Sequence, residues 1–321
     1  MHSFEELSGE FNRQFSIRHF PSQPTTLYDP ADYFLAIGGK RIRPVLCLMG
    51  NELFDTINPD AFAVATAIEL FHNFTLIHDD IMDKAPLRRG MQTVHQKYNE
   101  ATALLSGDVM LVVAYDYLNK VKVNYIHKII QIFNKTAKQV CEGQQLDMDF
   151  ETQDEVSLSE YLKMIELKTS VLIAASLQLG AVLGGAQEGN QRHLFGFGKN
   201  LGMAFQVQDD YLDAFGDPEK FGKQIGGDII ANKKTFLMIH AMEVGSVNQL
   251  EELKRLHAST SPAKVHTTLE IFRACGVDKW AFDLKEKYLN EAFKHLDEIA
   301  VLSSRKKPLQ DLAHFLVQRE Y

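Results

Sequence analysis

The stretch HDDIMD at residues 78–83 decides the fold class, together with a second copy of its acidic pattern, QDDYLD, at residues 208–213. Residues four apart lie on one face of a helix, so each copy presents two carboxylates one turn apart, with a third acid beside them. Hard carboxylate oxygens in this arrangement suit Mg²⁺, which usually takes one or two protein carboxylates and completes its shell with phosphate oxygens. A solvated acidic helix end would explain one copy alone. The repeat therefore favours a site for several metal ions.

Helical periodicity surrounds both copies. Apolar-rich runs, residues 71–77 and 203–207, lead into the two motifs, and the chain contains only nine prolines. Apolar residues recur at spacings of three and four, as in Leu158, Tyr161, Leu162 and Ile165, and no β-hairpin signal competes. We expect an all-α fold with helices at about 30–54, 60–84, 94–119, 124–150, 158–184, 188–215, 230–244, 248–258, 262–274 and 278–302.

Length and charge limit the possible classes of protein. The chain has 321 residues, 45% of them hydrophobic, and its candidate breaks are too short to be interdomain linkers, so we expect one domain spanning 1–321. Its 34 basic and 42 acidic residues give a net charge of -8, which argues against nucleic acid as the main partner. An anionic substrate would need local basic clusters or bound metal.

The cysteines and the apolar stretches indicate the compartment. Cys47, Cys141 and Cys275 lie far apart, which predicts a reducing cytoplasm without disulfides. Residues 1–20 lack the apolar centre of a signal peptide. The longest apolar stretch, residues 171–186, is shorter than the roughly 20 residues that span a bilayer, so no integral membrane segment is expected.

Two basic clusters accompany the acidic motifs. Arg88 and Arg89 follow Asp83 closely, and arginine offers a rigid fork that matches phosphate oxygens. The segment GGKRIRP at residues 38–44 predicts a phosphate-gripping loop, since its glycines let the backbone approach an anion and Lys40 and Arg43 can close on it from one side. Either cluster alone would also fit an ordinary surface turn. Beside the acids they favour a metal-bridged diphosphate.

The order of these motifs resembles the trans-isoprenyl diphosphate synthases. GGKRIRP (38–44), HDDIMD (78–83) followed by LRRG (87–90), FQVQDDYLD (205–213) and GKQIGGDIIANKK (222–234) occur in that sequence, and the match runs from about residue 36 to 240. The resemblance implies a helical bundle around a deep central cavity, with the two aspartate motifs across its mouth, and a homodimer. It also implies 1′-4 condensation of an allylic diphosphate with isopentenyl diphosphate, by ionisation, condensation and proton loss.

The resemblance further implies the residues that hold each group. Three Mg²⁺ ions would be held with the diphosphate by Asp79, Asp83 and Asp209. The allylic diphosphate would be bound by Arg88, Lys168, Lys223 and Lys233, and isopentenyl diphosphate by Lys40, Arg43, His72 and Arg89 without metal. The oxygens of Thr169 and Gln206 would stabilise the cation, and the departing diphosphate would remove the proton. A surface role for each lysine, and a core position for His72, are the alternatives.

Product length is expected to depend on the residues before the first motif. Phe74 and Thr75 lie five and four positions before Asp79. One bulky and one small residue resembles a geranylgeranyl-forming pattern, whereas two aromatic residues suggest a fifteen-carbon product and Ala followed by Thr suggests longer chains. On ideal geometry Phe74 lies about 140° around the helix from Asp79, so simple helix packing is the alternative.

Two other functions share part of this motif pattern. A class I terpene cyclase also ionises an allylic diphosphate at a DD-x-x-D motif, but it typically carries an Asn/Ser/Glu second motif in place of the second aspartate motif found here. A non-catalytic subunit of a heteromeric synthase would be expected to lose one aspartate motif or the arginine pair. Both aspartate motifs and both arginines are intact in this chain.

Overall fold

The chain is almost entirely helical in the computed structural model, which describes residues 1–216 and 225–318. The helices of these residues are α1 (Phe4–Phe15), α2 (Thr25–Ala36), α3 (Ile42–Glu52), α4 (Pro59–Met82), α5 (Val94–Lys97), α6 (Glu100–Leu118), α7 (Val123–Thr152), α8 (Leu158–Ile165), α9 (Val171–Leu183), α10 (Glu188–Phe215), α11 (Gly227–Ile230), α12 (Phe236–Val244), α13 (Val247–His257), α14 (Lys264–Ala274), α15 (Val277–Asp297) and α16 (Ser303–Gln318). A π-helical turn, Glu166–Ser170, joins α8 to α9. The predicted all-α class is confirmed.

The chain divides into two compact units. The first contains Met1–Lys135, Ala175–Leu194 and Ala300–Pro308, and the second contains the described residues of Thr136–Ala174, Phe195–Ile299 and Leu309–Tyr321. The single domain spanning 1–321 stays a prediction.

Helix α4 organises the first unit and carries the first acidic motif in its last turns. The Asn58 side chain accepts a hydrogen bond from the Asp60 backbone N–H at 3.0 Å, and Pro59 occupies the first turn, where its missing N–H costs nothing. Most of the helix up to Phe71 is buried, and it packs against α3 and α6. The helix ends at Met82, so Asp83 lies at its C-cap.

Helix α10 organises the second unit. The helix spans Glu188–Phe215, as the sequence predicts. Its residues from Phe195 onward belong to the second unit and carry the second acidic motif near the C-terminal end. Val207 on its buried face belongs to an apolar cluster that also contains Phe236, Phe272 and Val277. Burial of these side chains fixes the orientation of α10 and therefore the direction in which the acids project.

Several predicted helices are interrupted. The helix predicted at 30–54 is two helices, because residues 37–41 form a loop in which Arg41 adopts a left-handed backbone, with φ of 53°. The helix predicted at 94–119 is α5 and α6, and the one predicted at 158–184 contains the π-helical turn. The helical periodicity of apolar residues does not predict these breaks, because the apolar spacing continues across them.

A short hairpin corrects the prediction that no β-hairpin is present. Strands β1 (Leu87–Arg88) and β2 (Met91–Gln92) pair in antiparallel fashion. Arg89 and Gly90 between them both have positive φ, 52° and 77°, which is the backbone that favours a two-residue hairpin turn. The hairpin is not evident from the sequence, because its strands have only two residues each and Arg occupies the first turn position.

Among the residues that the structure describes, three helical stretches are long and apolar enough, by length and composition alone, to cross a membrane: Pro59–Met82, Glu100–Leu118 and Leu158–Leu183. Burial inside the protein accounts for the apolar character of the first and third, whose most apolar windows are 67% and 78% buried. The second window is only 39% buried, and Leu104, Leu105 and Val112 of α6 are exposed. The absence of a membrane segment stays a prediction.

Candidate active site

The three acids of the first motif have different environments. Asp80 is buried, whereas Asp79 is partly exposed and Asp83 is exposed. Arg88 Nε lies 2.9 Å from both carboxylate oxygens of Asp80, and Arg88 Nη2 lies 2.7 Å from Oδ1. Burial raises the pKa of Asp80, and the hydrogen bond from Arg88 opposes that rise. Asp80 therefore holds Arg88 in place, and the accessible carboxylates of this motif are the first and the last.

The hairpin carries Arg88 and Arg89 to two different places. Arg88 contacts Asp80, and the guanidinium of Arg89 lies over Gly39 in the predicted phosphate-gripping loop. A Cβ at residue 39 would come within 2.9 Å of Arg89 Nη1, so only glycine leaves room for this guanidinium without a shift. The structure thus brings together two basic motifs that lie about 50 residues apart in the sequence.

Arg43 and His72 form the centre of the predicted isopentenyl diphosphate site. Arg43 Nη1 lies 3.1 Å from His72 Nε2. Burial, and then the nearby Arg43, hold the pKa of His72 well below its usual value, so the imidazole is neutral at pH 7. Nε2 then accepts the hydrogen bond from Arg43, and Nδ1 carries the proton.

The same guanidinium retains one unused donor. Arg43 Nε is buried and has no hydrogen-bond partner among the described residues. Burial, opposed by Glu69 and assisted by the nearby Arg89, lowers the pKa of Arg43 to about 10, which leaves it protonated at neutral pH. Arg43, His72 and Arg89 therefore offer positive charge and N–H donors in one region. Lys40, the fourth predicted residue, is exposed at the adjoining loop.

Sequence reasoning missed the ion pair that holds this loop. The buried Arg41 donates to the buried Glu69 of α4, and its guanidinium lies 4.9 Å from the Phe15 ring centroid. Asn73 Nδ2 donates to the same carboxylate at 3.1 Å. An acid between Ile68 and Leu70, on a buried stretch of helix, was the available signal, because a buried carboxylate needs a partner.

The two residues predicted to set product length lie on different sides of α4. The Phe74 ring packs edge-on against His78, with 4.7 Å between ring centroids, and also contacts Phe71. The Thr75 hydroxyl donates to the His72 carbonyl at 2.8 Å. His78 in turn lies against Leu104 and Gly107 of α6. The roles of Phe74 and Thr75 in chain length stay predictions.

The second motif repeats the pattern of the first. Asp209 is partly exposed, whereas Asp210 is buried and accepts hydrogen bonds from the Tyr161 hydroxyl at 2.8 Å and the Gln206 amide at 2.9 Å. Burial, and then the Asp228 carboxylate, raise the pKa of Asp210 to about 7, against the two hydrogen bonds. Asp213 accepts from the Asp228 backbone N–H at 3.0 Å, at the start of α11.

The π-helical turn positions Lys168 and Thr169. Lys168 Nζ lies 2.6 Å from Asp147 Oδ2, and the Thr169 hydroxyl donates to Gln206 Oε1 at 3.3 Å. Gly143 of α7 passes so close to the turn that an added Cβ would lie 2.3 Å from the Lys168 backbone nitrogen. The predicted cation-stabilising pair, Thr169 and Gln206, is therefore in contact, and Asp147 is a partner of Lys168.

Of the two remaining predicted lysines, the structure describes Lys233. Lys233 is exposed, and its Nζ lies 3.9 Å from Asp228 Oδ1. Lys223 falls outside the described residues. The assignment of either lysine to diphosphate binding stays a prediction.

The acidic residues suit magnesium by their chemistry. Within the described ranges, no three His, Cys, Asp or Glu side chains converge on one point as a closed protein cage would require. Asp79 and Asp83 nevertheless present hard oxygen donors one turn apart at the accessible end of α4. Mg²⁺ commonly binds through one or two carboxylates and takes its other ligands from water and substrate phosphates. The donors present fit that kind of site.

Comparison with known proteins identifies the family. The family model described as Polyprenyl synthetase matches residues 24–274. A geranylgeranyl diphosphate synthase from Methanosarcina mazei is 38% identical over 302 residues, which cover 94% of this chain and 92% of that protein. The chain belongs to the polyprenyl synthetase family, and it is a trans-prenyltransferase.

Solved structures agree with this assignment. A crystal structure of a geranylgeranyl pyrophosphate synthase superposes with a TM-score of 0.95 at 43% identity, covering all of both chains. A polyprenyl synthase from Caulobacter crescentus, complexed with calcium and isoprenyl diphosphate, has a TM-score of 0.87 at 28% identity and covers 99% of this chain and 96% of its own. The isoprenoid synthase type of fold is thereby confirmed.

Proposed function

We propose that the chain joins isopentenyl diphosphate to an allylic diphosphate and releases geranylgeranyl diphosphate. The observation that carries the proposal is the different character of the two predicted diphosphate regions. Arg43, the neutral His72 and Arg89 offer cations and N–H donors, whereas Asp79, Asp83 and Asp209 are the accessible acids of the two motifs. Isopentenyl diphosphate must keep its carbon–oxygen bond, so a site without metal suits it. The allylic substrate must break that bond, so a metal site suits it.

Asp79, Asp83 and Asp209 would hold Mg²⁺, with three ions at full occupancy. Bound magnesium supplies Lewis-acid stabilisation of the negative charge that grows on the departing diphosphate. The Caulobacter crescentus polyprenyl synthase, which is complexed with calcium and isoprenyl diphosphate, supports a divalent cation with this substrate class. Arg88, held by Asp80, would add a charged fork beside the metal ligands. Lys168, Lys233 and Lys223 would complete the clamp.

Thr169 and Gln206 would face the allylic cation once the diphosphate leaves. Their oxygens carry lone pairs, and Thr169 already donates its hydroxyl hydrogen to Gln206 Oε1. Lys168 is held by Asp147, so its ammonium is oriented by a carboxylate. Proton loss after condensation would go to the departing diphosphate.

We propose that elongation of the prenyl chain stops at twenty carbons. The combination of Phe74 and Thr75 before the first motif supports this length, and so do the names of the similar synthases. A farnesyl diphosphate or longer polyprenyl product is the alternative, since a few side chains along the α4 face would separate them.

We further propose a cytoplasmic homodimer. Leu104, Leu105 and Val112 leave an apolar face of α6 exposed, and a second copy of the chain would cover it. The three cysteines are free, which supports a reducing compartment. Burial raises the pKa of Cys47, so that thiol is unreactive.

The test of the metal assignment is turnover of Asp79→Ala and Asp209→Ala. We expect both variants to lose at least about a hundredfold in turnover with farnesyl diphosphate and isopentenyl diphosphate, as removal of an electrostatic catalytic group does. Asp283→Ala, an exposed aspartate of α15, is the matched control and should keep its activity. Near-normal turnover of either motif variant in Mg²⁺ would show that the ligand assignment is wrong.

The same assay separates the other candidate functions. Formation of a cyclic hydrocarbon from geranylgeranyl diphosphate would favour a terpene cyclase, and no turnover of any prenyl substrate would favour a non-catalytic subunit. The intact second motif and arginine pair favour the synthase.

A further inference from the structure

Tyr161 has an unusual position for a polar side chain. It is buried in the apolar cluster of the second unit, with its ring centroid 6.4 Å from that of Phe236. Its hydroxyl lies 2.8 Å from Asp210 Oδ2. A buried hydroxyl needs a partner, and here the partner is the middle acid of the second motif.

Asp210 connects this hydroxyl to Gln206. Gln206 Nε2 lies 2.9 Å from Asp210 Oδ1, so the carboxylate has one oxygen engaged by each residue. Asp210 Oδ1 accepts this hydrogen bond from the N–H₂ end of the Gln206 amide, because the nitrogen is the only donor of that group. The oxygen end then points the other way, where it accepts from the Thr169 hydroxyl at 3.3 Å.

The orientation of the Gln206 amide has a chemical consequence. An allylic cation is stabilised by carbonyl and hydroxyl lone pairs, whereas an amide N–H₂ presents the positive end of its dipole. A rotation of about 180° around the last side-chain bond would exchange these two ends, and that terminal torsion is soft. A fixed acceptor on one side is therefore needed to keep the oxygen on the other.

We propose that Tyr161 is a positioning residue, which holds Asp210 so that the Gln206 amide keeps its oxygen toward Thr169 and the reacting carbon. The inference rests on the proposed role of Gln206 beside the cation. It assigns Asp210 to this network and not to metal binding. The order of contacts is Tyr161, Asp210, Gln206 and Thr169, all within the second unit.

The first test compares Tyr161→Phe with Gln206→Leu and with the double variant. Tyr161→Phe removes one hydroxyl, and we expect kcat to fall about tenfold while KM for both diphosphates stays within about twofold. Gln206→Leu should lower kcat at least as much. The double variant should match Gln206→Leu within about twofold, because residues acting through one another are not additive. Tyr288→Phe, a partly buried tyrosine packed on the same cluster, is the control and should retain full activity.

The outcomes separate this inference from the proposed function. A normal kcat in Gln206→Leu would remove the proposed role of Gln206. A reduced kcat in Gln206→Leu together with a normal kcat in Tyr161→Phe would overturn the positioning role alone, and so would losses that multiply in the double variant. A crystal structure of Tyr161→Phe gives a readout independent of activity. We expect the Gln206–Thr169 contact to be lost or reversed, and an unchanged contact would contradict the inference.

Asp210→Asn tests the network without altering Tyr161 and serves if Tyr161→Phe does not fold. An asparagine amide can still accept from Gln206 and donate to the tyrosine oxygen. We therefore expect the Mg²⁺ concentration for half-maximal activity to stay within about twofold of the wild-type value. A tenfold rise would make Asp210 a metal ligand and would overturn the assignment.

Discussion

Arg88 lies over the buried carboxylate of Asp80, with Nη2 2.7 Å from Oδ1 and Nε 2.9 Å from both oxygens. The two residues are eight positions apart, and the hairpin turn at Arg89 and Gly90 brings them together. The pair explains why the first motif has an acid between its two accessible ones. Asp80 orients an arginine, and the arginine in turn neutralises a buried acid.

The arginine pair therefore provides a matched comparison of stability. Arg88→Gln should lower the free energy of unfolding by about 3 kcal/mol, because it leaves the Asp80 carboxylate buried without its cation. Arg89→Gln should cost less than about 1 kcal/mol, since Arg89 is exposed. Urea unfolding of the two variants measures the difference. Equal losses of stability would contradict the structural role of Asp80.

The neutral state of His72 predicts a dependence of stability on pH. Its folded pKa lies below the unfolded value of about 6.5, so the unfolded state binds the proton first as pH falls. The contribution of the neutral His72 to folding stability is therefore fully present above about pH 6.5, and it is lost as the pH falls from there through the folded pKa. His19 is shifted in the same direction, also mainly by burial, and it contributes equally to wild type and variant.

His72→Gln isolates this contribution. We expect the thermal midpoint of the wild type to fall more between about pH 7.5 and pH 5.5 than that of the variant. Differential scanning calorimetry at the two pH values gives the comparison. Parallel pH profiles would show that His72 is not held neutral by its surroundings.

Gly143 provides a test of how the π-helical turn is positioned. Gly143→Ala would place a Cβ 2.3 Å from the Lys168 backbone nitrogen, so the turn must move. We expect a loss of about 1–3 kcal/mol in unfolding free energy and at least a tenfold fall in kcat from displaced Lys168 and Thr169. Gly189→Ala on α10 is the control, because nothing lies within 4 Å of its added Cβ. An active, stable Gly143→Ala protein would contradict the close approach.

The long helices could be predicted from the sequence. The contacts that orient the site residues could not be, because they join residues on different secondary-structure elements. The long helices α4, α7 and α10 were predicted within two residues at each end, because caps and apolar spacing act locally. The partners of Asp80, Asp147 and Asp210 were not predicted. Each pairing depends on a hairpin, a π-helical turn or a second helix, and motif spacing carries no information about them. Tyr161 lies within the stripe from Leu158 to Ile165, and the spacing of that stripe carries no information about the partner of a buried hydroxyl.

Phe74 tests the proposed control of product length. Phe74→Ala would remove a ring that packs against Phe71 and His78. We expect the main product to gain at least one five-carbon unit, as resolved by mass spectrometry of the dephosphorylated prenyl alcohols. Met148→Ala, an exposed residue of α7, should leave the product distribution unchanged. An unchanged product distribution in Phe74→Ala would show that Phe74 does not limit chain length and serves only in helix packing.

Geranylgeranyl diphosphate is the proposed product of this synthase. The most direct measurement incubates the purified protein with Mg²⁺, farnesyl diphosphate and labelled isopentenyl diphosphate and identifies the labelled product by mass spectrometry. We expect a twenty-carbon prenyl diphosphate as the main product, formed only when Mg²⁺ is present. A main product longer than twenty carbons, a main product of fifteen carbons when a five- or ten-carbon allylic primer replaces farnesyl diphosphate, or no labelled prenyl product, would contradict this prediction.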